Sequence, residues 1–212
     1  MVIKDKKLVF IHIPKCGGIS VKHSINKDYN YGLIYKERTH PFIISNPVST
    51  PRSQYEKNYE IPYHFTYDEA WTQFPNFRYV TQVRHPLDRW ASLYKHFCDS
   101  SFIKTWSIET WTENAMENLK DACYYGIFEN IKLFERAGVF WDMTKMLLPA
   151  WMYYRQPEVE IHKLEENTIW KALNIAPLHK HKSSKILVDY DREKVKDLIY
   201  DYYKKDFEYY GG

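Results

Sequence analysis

The sequence predicts an α/β fold in which a central parallel sheet of few strands is flanked by helices, with a helix-rich carboxy-terminal half. Three short runs of β-branched and aromatic residues have the length and composition of buried strands. Segments with apolar residues at helical spacing separate and follow them, an alternation typical of parallel sheets. The chain has 212 residues without an internal repeat or a low-complexity linker, so we expect residues 1–212 to form a single domain.

The first part of the chain predicts a strand, a glycine turn and a helix. Residues 7–13 (KLVFIHI) form the strand, Pro14 ends it, and residues 19–25 (ISVKHSI) open the helix. Residues 28–62 contain many Tyr and Pro residues and little periodicity. We interpret them as a long irregular segment of the kind that can cover an acceptor cleft.

The remaining elements follow from capping signals and from periodicity. Thr66 and Glu69 form a capping box that opens a short helix over residues 66–74. Two further strands are expected at residues 77–83 and 159–163. The other expected elements are a helix at 87–98, several helices within 107–154, a helix at 165–173, a loop at 179–185, and a last helix at 191–206 with Asp191 as N-cap.

Composition and charge are those of an ordinary globular protein with a slight positive excess. Hydrophobic residues make up 44% of the chain, charged residues 27%, and the net charge is +3. No block of like charges appears, so we expect no nucleic-acid partner. The small positive excess suits an anionic ligand.

The cysteines and the amino terminus indicate the cellular compartment in which the protein is expected. Cys16, Cys98 and Cys123 are odd in number and lack metal-ligand spacing, which favours a reducing compartment over a disulfide framework. The first residues, MVIKDKKL, include no apolar stretch long enough for a signal peptide or a membrane anchor. We therefore expect a soluble, cytoplasmic protein with no membrane partner.

The turn after the first strand is a candidate anion site. Backbone N–H groups at a helix N-terminus bind anions, and glycines let such a backbone approach a phosphate closely. A lysine before the glycines adds a mobile ammonium, and a plain strand-to-helix turn is the alternative. The candidate cofactor contacts are Lys15, Cys16, Gly17, Gly18, Ile19 and Ser20.

This loop is P-loop-like in layout but differs from a nucleoside-triphosphate loop. That motif requires GxxxxGK[ST], with the lysine after the second glycine. Here Lys15 precedes Gly17 and Gly18. We therefore expect a chemistry other than ordinary ATP hydrolysis.

A second candidate anion site follows the second predicted strand. Arg84 stands where a side chain projects from the carboxyl edge of the sheet, the usual ligand side of open α/β sheets. Pro86 fits the first turn of the next helix, and Ser92 lies further along it. An arginine and a serine can together hold a phosphate. Arg89 is expected to have a structural role, in an ion pair with a nearby carboxylate or packed on Trp90.

These two segments, FIHIPKCGGIS and VRHPLDRWASLY, resemble the PAPS-dependent sulfotransferases of the carbohydrate type, which include heparan sulfate and chondroitin O-sulfotransferases. PAPS is 3′-phosphoadenosine-5′-phosphosulfate. The resemblance implies that the first segment is the 5′-phosphosulfate loop, and that Arg84 and Ser92 belong to the 3′-phosphate motif. The carboxy-terminal pattern at residues 189–191 and 203–208 is similar to the family's last helix.

The sequence also departs from the family pattern at two places. Cys16 stands where threonine is common, so one hydroxyl contact to the donor is lost. In the loop at 179–185, His181 stands where asparagine is often found, and Ser183 is the candidate cofactor contact there.

The resemblance implies an in-line displacement at sulfur, in which the product 3′-phosphoadenosine 5′-phosphate (PAP) leaves and no metal is required. Lys15 would stabilise charge on the leaving phosphate. The acceptor hydroxyl needs a base, and His64 is the candidate, with Asp68 and Glu69 as backups. The alternative for His64 is a capping or packing role, and His12, inside a strand, is expected to be a core residue.

Two other functions remain open from the sequence. One is a P-loop-like nucleotide kinase or hydrolase, although its lysine and magnesium-binding hydroxyl are not in register. The other is a non-catalytic glycan-binding module on the same fold. The acceptor is expected to be a hydroxyl compound, with a carbohydrate favoured by the resemblance; the Tyr-rich segments 29–35 and 55–63 would suit a sugar, a peptide or a small alcohol.

Overall fold

The computed structural model describes residues 1–28, 43–44, 64–99, 106–124, 146–178 and 189–211, with 43–44 described by their backbone. The chain divides into two compact units, each built from two segments. The sheet unit comprises Met1–Arg84 and Trp151–Lys185, and the helical unit comprises His85–Ala150 and Ile186–Gly212. The expectation of a single domain over residues 1–212 stays a prediction.

The described strands form one sheet in the order β3-β1-β2-β4-β5. They are β1 (Val2–Ile3), β2 (Leu8–Ile11), β3 (Ile43–Ile44), β4 (Arg78–Val83) and β5 (Val159–Lys163). β2, β4 and β5 are mutually parallel, whereas β1 runs antiparallel to β2 and parallel to β3. The predicted α/β, P-loop-like fold class with a mainly parallel central sheet is thereby confirmed.

The described helices are α1 (Gly18–Asp28), α2 (Tyr67–Trp71), α3 (Pro86–Asp99), α4 (Ile108–Tyr124), α5 (Trp151–Tyr154), α6 (Ile169–Leu173) and α7 (Arg192–Tyr210). Two 3₁₀ turns, Lys4–Lys6 and Leu164–Glu166, follow β1 and β5. α3, α4 and α7 belong to the helical unit, in agreement with the predicted helix-rich carboxy-terminal half.

The core of the sheet unit lies between one face of the sheet and the helices α1 and α6. Phe10 and Val80 occupy this face because paired residues of parallel strands point to the same side. Val21 and Ile25 of α1 pack against them, four residues apart on one helical face. This packing holds the start of α1 over the carboxyl ends of β2 and β4, which is where the candidate site lies.

The neighbouring parallel strands β4 and β5 are joined by an ion pair. Arg78 of β4 donates to the Glu160 carboxylate of β5 and, over 3.0 Å, to the Ala172 carbonyl. His162 bonds to Glu160 over 2.8 Å and to the Thr168 hydroxyl over 2.9 Å. Partial desolvation raises the pKa of Glu160, but the bonds from Arg78 and His162 outweigh it and leave that pKa lowered.

The helical unit has its own aromatic core. Trp90 is buried against Trp111 and Tyr203 and donates its indole N–H to the Thr112 hydroxyl over 2.8 Å. Arg89 is buried and donates to the Met146 carbonyl over 2.9 Å. This hydrogen bond within the helical unit agrees with the structural role expected for Arg89.

Several predicted elements agree with the structure and others differ. The strands at β2, β4 and β5, the capping box of α2 and the Asp191 N-cap of α7 are confirmed. The helix expected over residues 165–173 is confirmed for Ile169–Leu173 but begins later than expected, because Asn167, with a φ of 59°, separates a 3₁₀ turn from α6. Most of the irregular segment at 28–62 and all of the loop at 179–185 lie outside the described residues.

Candidate active site

The candidate site is built on the turn between β2 and α1. β2 ends at Ile11, α1 begins at Gly18, and the intervening backbone contains two left-handed residues. Lys15 has a φ of 64° and Gly17 a φ of 78°. Glycine adopts this conformation freely, but in a lysine it costs about 1 kcal/mol or more. Non-glycine residues with such a strained backbone are enriched at functional sites. Lys15 has this conformation.

Gly17 is packed closely by side chains of two neighbouring elements. A Cβ atom at this position would lie 3.0 Å from Cδ1 of Leu164 and 3.2 Å from Oε1 of Gln82. Together with the positive φ, this contact restricts the position to glycine. The loop therefore rests directly on the residues that follow β5 and end β4.

Gly18 is required by a still closer contact with His12. A Cβ at Gly18 would lie 2.0 Å from Cδ2 of the His12 ring and 2.4 Å from its Nε2. The sequence attributes both glycines to the approach of a phosphate. The structure adds that Gly18 lets the first turn of α1 pack against the imidazole of His12.

The other loop residues divide into buried and accessible side chains. Cys16 is buried and reduced, so its side chain packs inside the sheet unit. Ile19 is 44% exposed, and Lys15 and Ser20 are half-buried. The Ser20 N–H donates to the Gly17 carbonyl over 3.0 Å, which closes the first turn of α1. The accessible side of the loop therefore carries Lys15, Ile19 and Ser20.

His64, the predicted base, lies against His12. Both rings are buried, and their centroids are 4.9 Å apart. Nδ1 of His64 is 3.1 Å from the His12 carbonyl oxygen. A carbonyl oxygen only accepts hydrogen bonds, so Nδ1 carries the proton, and in the neutral ring Nε2 holds the lone pair.

His12 is neutral because its surroundings disfavour a second positive charge. Burial, first, and then the nearby charges of His64, Lys22 and Lys15 among others hold the pKa of His12 well below its usual range. His12 is buried, as predicted for a core residue. It nevertheless contacts both the glycine loop and the candidate base, which the sequence does not reveal.

The two backup bases are engaged elsewhere. Asp68 accepts two hydrogen bonds from Arg155, one of them over 2.7 Å. Glu69 accepts the Thr66 N–H over 2.7 Å in the capping box. Both carboxylates therefore have structural partners, which leaves His64 as the better candidate.

Gln82 is the site residue that sequence reasoning missed. It is 1% exposed, it follows the Ile11–Thr81 pair by one position, and its amide faces Gly17. Neither amide atom has a hydrogen-bond partner among the described residues. The available signal was a single amide near the end of the predicted strand FRYVTQV.

The remaining predicted residues have different placements. Arg84 is half-buried and follows β4 directly, at the same carboxyl edge as the loop. Ser92 lies on α3 in the helical unit. Ser183 lies outside the described residues. The structure thus brings Lys15, Gly17, Gly18, His64, His12 and Gln82 together within the sheet unit.

The described part of the chain contains neither a metal-binding cluster nor a membrane-spanning helix. Its histidine, cysteine and carboxylate side chains form no group of three or more that could hold a metal ion. None of its helices has the length and hydropathy of a membrane span.

Comparison with known proteins identifies the family. The model described as the sulfotransferase family matches residues 1–211, which is nearly the entire chain. No curated protein and no solved structure matches the chain. Because the match covers nearly the entire chain, the chain belongs to the sulfotransferase family.

Proposed function

We propose that this protein transfers a sulfuryl group from PAPS to an acceptor hydroxyl, with a carbohydrate as the favoured acceptor class. The observation that carries the proposal is Lys15, held in a left-handed conformation in the glycine loop between β2 and α1 of a sulfotransferase-family chain. The carbohydrate class rests on the resemblance to heparan and chondroitin O-sulfotransferases.

The residues present suit the 5′ end of such a donor. Gly17 and Gly18 carry no side chain of their own where the loop enters α1, and backbone N–H groups at the start of a helix bind anions. Lys15 supplies a full positive charge beside them. The resemblance assigns the 3′-phosphate to Arg84 and Ser92, and Arg84 lies at the same sheet edge as the loop. Ser183 is a further candidate contact to the donor.

Lys15 acts on the leaving group. The acceptor oxygen forms a new bond to sulfur while the bond between sulfur and the bridging phosphate oxygen breaks, and that oxygen keeps the electron pair. Lys15 donates a hydrogen bond to the bridging oxygen, where negative charge grows as the bond lengthens. This interaction is stronger in the transition state than in the ground state, so it lowers the barrier.

His64 takes the proton of the acceptor hydroxyl. The bond from Nδ1–H to the His12 carbonyl fixes the neutral tautomer in which Nε2 is basic. His12 acts as a positioning residue, because its backbone orients His64 while its ring supports Gly18. The proton of the acceptor hydroxyl thus ends on Nε2 of His64, and PAP leaves as an anion.

Ligand binding tests the proposal against the two alternatives. We expect PAP to raise the unfolding midpoint of the protein without Mg²⁺, and Arg84→Ala to weaken PAP binding. Arg155→Ala, which removes an exposed arginine of the same unit, serves as the control. Stabilisation by ATP–Mg²⁺ alone would support a kinase or hydrolase, and acceptor binding without any effect of PAP would support a glycan-binding module.

The acceptor class needs a separate measurement. Incubation with ³⁵S-labelled PAPS and a panel of glycans, peptides and small alcohols identifies which hydroxyl compounds take up label. We expect label on at least one glycan, and label on peptides or small alcohols alone would contradict the carbohydrate assignment.

A further inference from the structure

Gln82 is a buried amide whose hydrogen-bonding capacity is unused within the described part of the chain. Its side chain is 1% exposed, and both Oε1 and Nε2 are without a hydrogen-bond partner there. Buried polar side chains are nearly always hydrogen-bonded, and an unsatisfied one destabilises the fold. The exception at Gln82 therefore needs an explanation.

The position of Gln82 in β4 explains where the amide points. Side chains alternate along a strand, and Val80, two residues earlier, faces α1 in the core of the sheet unit. Gln82 points to the same side and reaches the glycine loop, with Oε1 3.2 Å from where a Cβ of Gly17 would lie. The side chain thus ends beneath the loop to which we assign the 5′ end of the donor.

Thr81, the preceding residue, is a polar residue of the same strand whose side chain has a hydrogen-bond partner. It is also buried, but its side chain points to the opposite face, and its hydroxyl donates to the Ile11 carbonyl over 2.9 Å. The two neighbours therefore differ in function: Thr81 joins β4 to β2, whereas Gln82 presents an amide to the loop.

We propose that the Gln82 side-chain amide is a binding group for the phosphosulfate end of the donor, with Nε2 donating a hydrogen bond to a non-bridging oxygen at the loop. An anion only accepts hydrogen bonds, so the amide must present its nitrogen. The oxygen and nitrogen of an amide are exchanged by a rotation of 180° about the terminal bond. This inference rests on the proposed function and assigns a further residue to the same site.

The proposal predicts opposite effects on stability and on affinity. Gln82→Met keeps the side-chain volume but removes an unsatisfied polar group, so the ligand-free variant should unfold at the same temperature as the native chain or a higher one. Its affinity for the donor should fall by roughly ten- to a hundredfold, the usual effect of losing a hydrogen bond to a charged group. Thr81→Val is the matched control, which should lower the unfolding midpoint and leave donor affinity unchanged.

Calorimetric titration with PAP and with PAPS, together with thermal unfolding of the ligand-free proteins, tests these effects. Loss of affinity for both ligands places the bond on the 5′-phosphate, and loss for PAPS alone places it on the sulfuryl group; either result supports the proposal. Unchanged affinity of Gln82→Met for both ligands, or a lower unfolding midpoint without ligand, overturns it. If the native chain binds neither PAP nor PAPS, the proposed function itself fails, which is a different result.

A second variant, Gln82→Glu, tests the proposal even if Gln82→Met fails to fold. Gln82→Glu preserves the shape of the side chain, but its carboxylate repels an anion and cannot donate. Relative to the native chain, its affinity for PAPS should be lower and should recover partly as the pH falls, because a protonated carboxyl donates again. An affinity equal to that of the native chain at every pH contradicts the proposal.

Discussion

Nδ1 of His64 lies 3.1 Å from the carbonyl oxygen of His12, the first residue after β2. The chain segment that leads into the glycine loop therefore also orients the candidate base. On its other side the His12 ring fills the space that a Cβ of Gly18 would need. The start of α1, His12 and His64 form one packed group, so a change at any of the three is expected to affect the others.

Lys15→Ala should abolish sulfuryl transfer while the protein remains folded, because the charge on the leaving oxygen would lose its stabilising cation. Lys7→Ala is the matched control, since Lys7 is a lysine of the same unit with a positive φ of 47°. Turnover of ³⁵S-PAPS with an identified acceptor measures the effect, and circular dichroism checks folding. Normal turnover by Lys15→Ala would refute the assignment.

His64→Gln should remove transfer and leave PAP binding intact, because a neutral amide can keep the bond to the His12 carbonyl but cannot accept a proton at neutral pH. The control is His96→Gln, since His96 is exposed in the last turn of α3 and belongs to the helical unit. Single-turnover rates with saturating PAPS, measured beside PAP affinity, separate chemistry from binding. If transfer persists, the base lies elsewhere.

Gly18→Ala should destabilise the protein by about 1–3 kcal/mol, because its Cβ would be forced into the His12 ring. The double variant Gly18→Ala, His12→Ala removes the clash, so the two changes should be non-additive by about 0.5–3 kcal/mol. Urea unfolding of the native chain, both single variants and the double variant gives the coupling. Additive losses would show that the ring and the helix do not meet as described.

The stability of the protein should fall as the solution is made acidic below about pH 6.5. The pKa of His12 is lowered by burial, so the folded state holds this ring neutral where the unfolded chain binds a proton. Stability is thus present above the unfolded pKa of 6.5 and is lost by about 1.4 kcal/mol for each pH unit below it. His12→Gln should show a shallower decline in urea unfolding between pH 6.5 and 5, and an identical decline would exclude His12 as its source.

The elements that could be predicted from the sequence are those that depend on residues close together in the chain. The strand at 159–163, the capping box of Thr66 and Glu69, and the Asp191 N-cap depend on residues within a few positions of one another, and each is confirmed. β1 was missed because two apolar residues are too short to predict a strand, and it is fixed by pairing with β2. The break at Asn167 was missed because it interrupts a helical pattern that otherwise continues.

The sequence by itself determined the fold class, the glycine loop with Lys15, and the candidate residues Arg84 and His64, since these depend on local patterns and motifs. Only the tertiary structure decided that Gly18 fits against His12, that Nδ1 of His64 is protonated, and that the amide of Gln82 ends beneath the loop. Two of these contacts join positions far apart in the chain: 52 residues separate His12 from His64, and Gln82 reaches Gly17 from another strand. A hydrogen bond or a steric limit between such positions exists only once the sheet has brought their strands to a common edge.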